Sequence, residues 1–182
     1  MRTSRKILFA ALAAAVWVSC NKELDNTFSR QEDRIASLAA SLMKDNADAT
    51  VSYSGGSTTV TVVHGEGTPL EEGGAVSFYY AAHSISGNTL DASNLFATNY
   101  DVYAKSIQWA LSDTTVFSVT TLNLKDADLV EGLRNGLVGV RGGDECYVLF
   151  SGRHGFGKKK VASVPANAAL AYHLWVVGVS NE

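Results

Sequence analysis

From residue 58 onward, apolar residues fall at alternate positions rather than at every third or fourth. A run with that period turns one side to a core and the other away from it, as strands of a mainly antiparallel sheet do. "TTVTVVH" (58–64), "AVSFYYAAHS" (75–84), "ECYVLF" (145–150) and "ALAYHLWVVGV" (169–179) are predicted strands, and "VFSVTTLNL" (116–124) is predicted to be extended. "GEGTPLEEGG" and the "SGN" at 86–88 supply turns. Two stretches return to helical spacing. In 98–113, Tyr100, Tyr103, Ile107 and Leu111 share a face; in 126–140, Leu129, Val130, Leu133 and Leu137 do. Asp126 is placed to cap the second, and Gly139 with Gly142 and Gly143 to end it. These elements predict an α+β domain over 58–182, an antiparallel β-sheet wrapped around a short helix, with no internal repeat.

The N-terminal third reads differently. Arg2, Arg5 and Lys6 precede an apolar stretch, 7–18, that is too short to span a bilayer, and "VSC" ends at Cys20. A small residue before a cysteine after such a core resembles a bacterial lipobox; an ordinary export signal cut nearby is the alternative. The expected organisation is a signal peptide over 1–19, then a lipid-anchored helix and linker over 20–57 that starts at Cys20. Within it, Phe28, Ile35, Leu38, Leu42 and Met43 predict an amphipathic helix over 27–44, capped by Thr27 or Ser29. Three roles are open for that helix: docking on its own domain, pairing with a second copy, or serving as a stalk. Residues 45–57, which contain "SGGS", read as a hinge.

Apolar residues make up 46% of the 182, enough for most of the chain to fold. The net charge of −3 gives no basic field for nucleic acid. With Cys20 lipidated, Cys146 has no disulfide partner and reads as a buried packing residue. His64, His83, His154 and His173 are scattered with no i, i+4 pair, so no metal site is expected. Lys158, Lys159 and Lys160 read as a solvated loop face. Glu71 and Glu72 are adjacent, so on a strand they would point apart.

"LVEGLRNGLVGVRGGDE" resembles the helix-and-turn signature of FKBP-type peptidyl-prolyl isomerases. "GEG…GGAVSFYYAA" (65–82) resembles that family's opening strands and "GNTLDAS" (87–93) its Gly-x-x-Phe-Asp-Ser segment. "GFG…VPANAALAYHLWVVGV" (155–179) resembles its ending. The pieces stand in the family's order and span about 58–179. The resemblance implies an FKBP-like fold and a prolyl pocket rimmed by the 151–165 loop. Tyr80 stands where the family has a pocket-wall Tyr, and Leu90 and Asp91 where it has Phe and Asp. Leu129 and Val130 match the apolar pair whose second member offers a backbone N–H. Leu133 falls where a Trp often forms the floor, and Phe156 where a Tyr hydroxyl commonly bonds the substrate carbonyl. Val164 and Tyr172 match an Ile and a Phe. The Trp→Leu, Phe→Leu and Tyr→Phe departures keep the pocket apolar but reshape it. Phe96, Tyr100 or Trp109, all from the 94–113 insertion, are candidates to refill it.

Prolyl isomerisation crosses a barrier of about 18–20 kcal/mol because twisting breaks amide resonance. It needs no nucleophile, metal or cofactor. A dry aromatic pocket favours the twisted amide, whose carbonyl oxygen is less charged. The resemblance therefore implies an isomerase acting on proline-containing segments of exported polypeptides; the lipobox-like start adds the expectation that it is anchored to the outer membrane and faces the periplasm or the cell surface. The alternatives are a catalytically weak or inactive FKBP-like binding lipoprotein and an envelope subunit whose 27–44 helix makes a homodimer contact.

Overall fold

A computed structural model of the chain describes residues 4–109, 117–126 and 128–182, without the side chains of residues 4–21. The sheet holds seven described strands: β1 Thr50–Ser54, β2 Ser57–Val63, β3 Ala75–Ser84, β4 Leu95–Thr98, β5 Thr120–Asn123, β6 Glu145–Phe150 and β7 Leu170–Ser180. Their order is β1-β2-β6-β7-β3-β4, with β5 also on β3, and every pairing is antiparallel. Among the described residues three α-helices accompany them, α1 Ser4–Asp45, α2 Asp101–Ser106 and α3 Glu131–Leu137, with a 3-10 turn at Gly152–His154. The architecture is α+β, with the sheet wrapped on one face around α3.

The two-residue period decides what lies on each face. Val76, Phe78 and Ala82 of β3, Cys146, Val148 and Phe150 of β6, and Leu170, Tyr172, Leu174 and Val176 of β7 join Leu133 and Leu137 of α3 in the main core. Burial raises the pKa of the Cys146 thiol. The helix lies close to the sheet because Gly132 and Gly136 face it. A Cβ at Gly132 would enter the Phe150 ring, and one at Gly136 the Val148 side chain. Ser57 Oγ donates to Gly132 O at 2.7 Å, and Thr59 Oγ1 to Gly136 O at 2.8 Å.

The opposite face carries a second core, in which Ile35, Leu38 and Ala39 of α1 pack on Val60, Leu149, Ala169 and Ala171. Gln31 anchors that contact: its Nε2 donates to Asn167 O at 2.7 Å and its Oε1 accepts the Gly152 N–H at 2.8 Å. The apolar face of α1 is thus used on the chain's own sheet. Among the described residues no helix is long and apolar enough to cross a membrane. The side chain of Cys20 lies outside the described residues.

Several local expectations are corrected. Helix α1 is already formed at Ser4, the first described residue, rather than beginning near Thr27, because no Gly or Pro interrupts residues 4–45 and Ala and Leu are strong helix formers. Thr27 does not cap it; its hydroxyl bonds back to Glu23 O at 2.9 Å. The 45–57 stretch is not a plain hinge. Gly55 (φ 51°) and Gly56 (φ 80°) make the left-handed two-residue turn of a β1–β2 hairpin. The helix expected over 98–113 is α2 alone; it starts after β4 and gives way by Gln108 (φ 54°), while residues 110–113 lie outside the described residues. Asp126 does not cap α3, whose N-cap is Val130 without a side-chain bond. It sits in the preceding turn and accepts the Asn123 N–H at 3.3 Å.

Candidate functional site

The inward face of the sheet is not filled at one end of α3. There β3 contributes Phe78, Tyr80 and Ala82, β4 Phe96 and Ala97, β5 Thr120 and Leu122, and β7 Tyr172. Asp128, Leu129, Val130 and Leu133, at and before the start of α3, close the ring around a cavity of about 260 Å³. The wall is mostly apolar. Among the described residues its side-chain polar groups are one exposed carboxylate, one threonine hydroxyl and two phenols, with no cation, imidazole or thiol.

The aromatic rings support one another. Tyr172 lies 6.3 Å from Tyr80, meets Phe96 edge-on at 6.4 Å and stacks on Phe150 at 5.9 Å. Phe78 meets Tyr80 edge-on at 6.3 Å. Burial raises the pKa of both Tyr80 and Tyr172, the latter also through its proximity to Tyr80, so both phenols keep their protons. The segment carrying Leu129 and Val130 is held by Arg134, whose Nη2 donates to the carbonyls of Asp126 and Leu129. Among the described residues of the wall the only charged group is the exposed Asp128 carboxylate. Such a cavity can take an apolar ring out of water and meet its polar edge with phenol donors.

No protein-family model and no curated protein matches the chain. Solved structures do, through the fold. Over 99% of this chain and 73% of that chain, it matches FkpA from Escherichia coli at a TM-score of 0.56 and 16% identity. The three FKBP domains of wheat FKBP73 match with a TM-score of 0.56 at 16% identity, over 72% of this chain and 50% of that one. The chain has the FKBP-domain fold. The N-terminal domain of FKBP42 from Arabidopsis thaliana matches with a TM-score of 0.54 at 17% identity, over 74% of this chain and 94% of that one. The match spans half of the wheat chain's length.

Within this FKBP-like domain, five of the nine candidate residues stand on the cavity wall: Tyr80, Leu129, Val130, Leu133 and Tyr172. The other four do not. Leu90 packs in the second core on the opposite face of the sheet, because the connection after β3 folds towards α1. Ile85 N there donates to Ala169 O at 2.8 Å, and Arg34 Nη1 to Ser86 O at 3.4 Å. Asp91 is exposed and organises a turn, accepting the Ser93 N–H at 2.8 Å and the Ser93 and Thr89 hydroxyls. Those bonds, chiefly from Ser93, lower its carboxyl pKa. Phe156 supports the wall from outside, meeting the edge of Phe96 at 6.3 Å. Val164 is buried in the main core and bridges to Val161.

Of the three aromatics proposed to refill the pocket, Phe96 is on the wall. Tyr100 is on the outer face, 4.9 Å from Tyr79 and 4.6 Å from Trp175, and Trp109 takes no part in the wall. Sequence reasoning missed Phe78 and Ala82, although strand alternation places both on the face of Tyr80. It also missed Ala97, Thr120, Leu122 and Asp128, which carry no local signal.

Proposed function

We propose that the FKBP-like domain binds proline-containing segments of exported polypeptides and speeds their cis–trans exchange. The observation that carries this reading is the aromatic cavity formed by Tyr80, Phe96, Tyr172 and the Leu129–Val130 segment on an FKBP fold. A prolyl ring held there is shielded from water, which favours the less polar twisted amide over the planar one. Leu129, Val130 and Leu133 contact the ring, and Tyr80 and Tyr172 flank it. The chain is exported by its 1–19 signal and anchored through Cys20, with α1 docked on its own sheet.

A protease-coupled assay on the detergent-solubilised full chain, using a peptide with Leu before Pro, tests the activity. Exchange well above the uncatalysed rate is expected. A background rate with the peptide still bound selects the second reading, a binding module without turnover. Leu133, where the family often has a Trp, and the small Ala82 and Ala97 in the wall favour that second reading, because they offer a proline ring less flat surface. Incorporation of labelled fatty acid that disappears in Cys20→Ala tests the anchor.

A further inference from the structure

Two of the four polar groups around the cavity are already accounted for. Thr120 Oγ1 accepts from Asn99 Nδ2 at 3.0 Å, and Asp128 is exposed. The phenol hydroxyls of Tyr80 and Tyr172 have no hydrogen-bond partner among the described residues. For Tyr172 the surroundings give the hydroxyl no structural use. The residue is only 8% exposed and stands on β7 between Leu170 and Leu174, both fully buried. Its contacts with Phe150 and Phe96 are made by the ring. A phenylalanine would make the same ring contacts, so packing in the core does not account for the hydroxyl. Nor is the hydroxyl sealed inside the protein. Among the described residues the only side-chain polar atom both cut off from solvent and unpartnered is Arg134 Nε. The Tyr172 hydroxyl therefore reaches solvent, and the opening its residue lines is the cavity.

We propose that Tyr172 Oη is a substrate-orienting donor: it hydrogen-bonds the carbonyl oxygen of the proline residue itself, on the C-terminal side of the bond that rotates. This rests on the prolyl-binding reading above. The choice of carbonyl follows from the chemistry of rotation. The oxygen of the rotating amide is most negative in the planar form and loses charge on twisting. A donor held on it would stabilise the ground state and slow exchange. The proline's own carbonyl keeps its resonance throughout, so a bond to it orients the ring at equal strength in both states. Such an interaction acts on binding and not on the chemical step.

The test compares the full chain, Tyr172→Phe and Tyr80→Phe on succinyl-Ala-Leu-Pro-Phe-4-nitroanilide, with Kd from calorimetry and kcat and KM from the coupled assay. Tyr172→Phe is expected to raise Kd and KM about two- to twelvefold with kcat unchanged. Its thermal midpoint is expected to stay the same or rise, which a merely structural role for the hydroxyl would not produce. A peptide whose proline carbonyl is a thioamide, a weaker acceptor, should bind the wild type less well by a similar factor. It should lose no further affinity to Tyr172→Phe. Unchanged Kd in Tyr172→Phe, or equal thioamide losses in both proteins, overturns the inference and leaves the prolyl-binding reading intact. A wild-type chain that neither binds nor isomerises the peptide overturns that reading, and the inference with it. If the wild type binds without turnover, the comparison is decided on Kd.

Discussion

Asn99 Oδ1 accepts the backbone N–H of Tyr80 at 2.6 Å, across the point where two short strands meet on one edge of β3. β5 pairs with β3 as far as Phe78, and β4 pairs from Ala81. Tyr80 lies in the gap, and Asn99 bridges it. Its Nδ2 donates to Phe78 O, Ser118 O and Thr120 Oγ1, while Thr98 Oγ1 donates to Tyr80 O at 2.6 Å. A cavity-wall tyrosine thus owes its position to a buried amide. Asn99→Ala is expected to cost about 2–4 kcal/mol, since it strands buried backbone groups. Peptide affinity should fall with it. Asn99→Asp keeps one acceptor but sets a buried carboxylate oxygen against the carbonyls of Phe78 and Ser118, so its denaturation midpoint at pH 7 should lie no higher than that of alanine. An alanine midpoint equal to wild type would exclude this role.

Phe96 lines the cavity and Phe156 stands behind it. Phe96→Ala should weaken prolyl-peptide binding by about tenfold, the equivalent of ~1.4 kcal/mol. Phe156→Ala should weaken it less than threefold, and Leu90→Ala should leave it unchanged while lowering stability. Calorimetric titration of the three variants with one peptide ranks them; Leu90→Ala as the weakest binder would contradict the placement of that side chain.

The approach of α3 to the sheet is set by Gly132 and Gly136. Gly136→Ala gains helix propensity, by about 1 kcal/mol, but puts a methyl group into Val148 and disturbs the Thr59 bond to the residue's carbonyl. Overpacking costs about 1–3 kcal/mol and should win. A lowered urea midpoint is expected, recovered in part by Val148→Ala, which makes room for the methyl.

On the outer face, His83 and His173 flank Tyr103, with ring centroids 6.1 and 5.9 Å from it. Tyr147 stacks on His173 at 4.0 Å, and Glu145 Oε1 lies 2.7 Å from its Nε2. Burial lowers both imidazole pKa values, and for His173 it outweighs the pull of Glu145 in the other direction. An imidazole kept neutral in the fold and free to protonate when unfolded stabilises fully above its ordinary value of about 6.5. That stability is lost as pH falls from there towards the lowered folded values. Glu145, held low by the His173 hydrogen bond, adds a second loss below the ordinary carboxylate range. The urea midpoint should therefore drop between pH 7.5 and 5.5, and less so in a His83→Gln, His173→Gln double variant. A midpoint flat over that interval in the wild type would refute the assignment.

The sequence by itself determined the long strands and the faces they present. β3 and β6 begin and end where alternation places them, and β2 and β7 lie within a residue, because period two is a local steric property of an extended chain. It follows that Tyr80 and Tyr172 share an inward face. β1 was hidden although Val51 and Tyr53 alternate with Thr50, Ser52 and Ser54, because the run is only five residues long and the glycines that follow it read as a hinge; β4 was hidden because its four residues run straight into a helical pattern. Only the tertiary structure decided that Leu90 turns away from the cavity, that Phe96 enters it, and that Asn99 closes the strand gap beside Tyr80. Those outcomes depend on which neighbour each segment meets across the sheet and under α1. Contacts between residues distant in sequence leave no period to read.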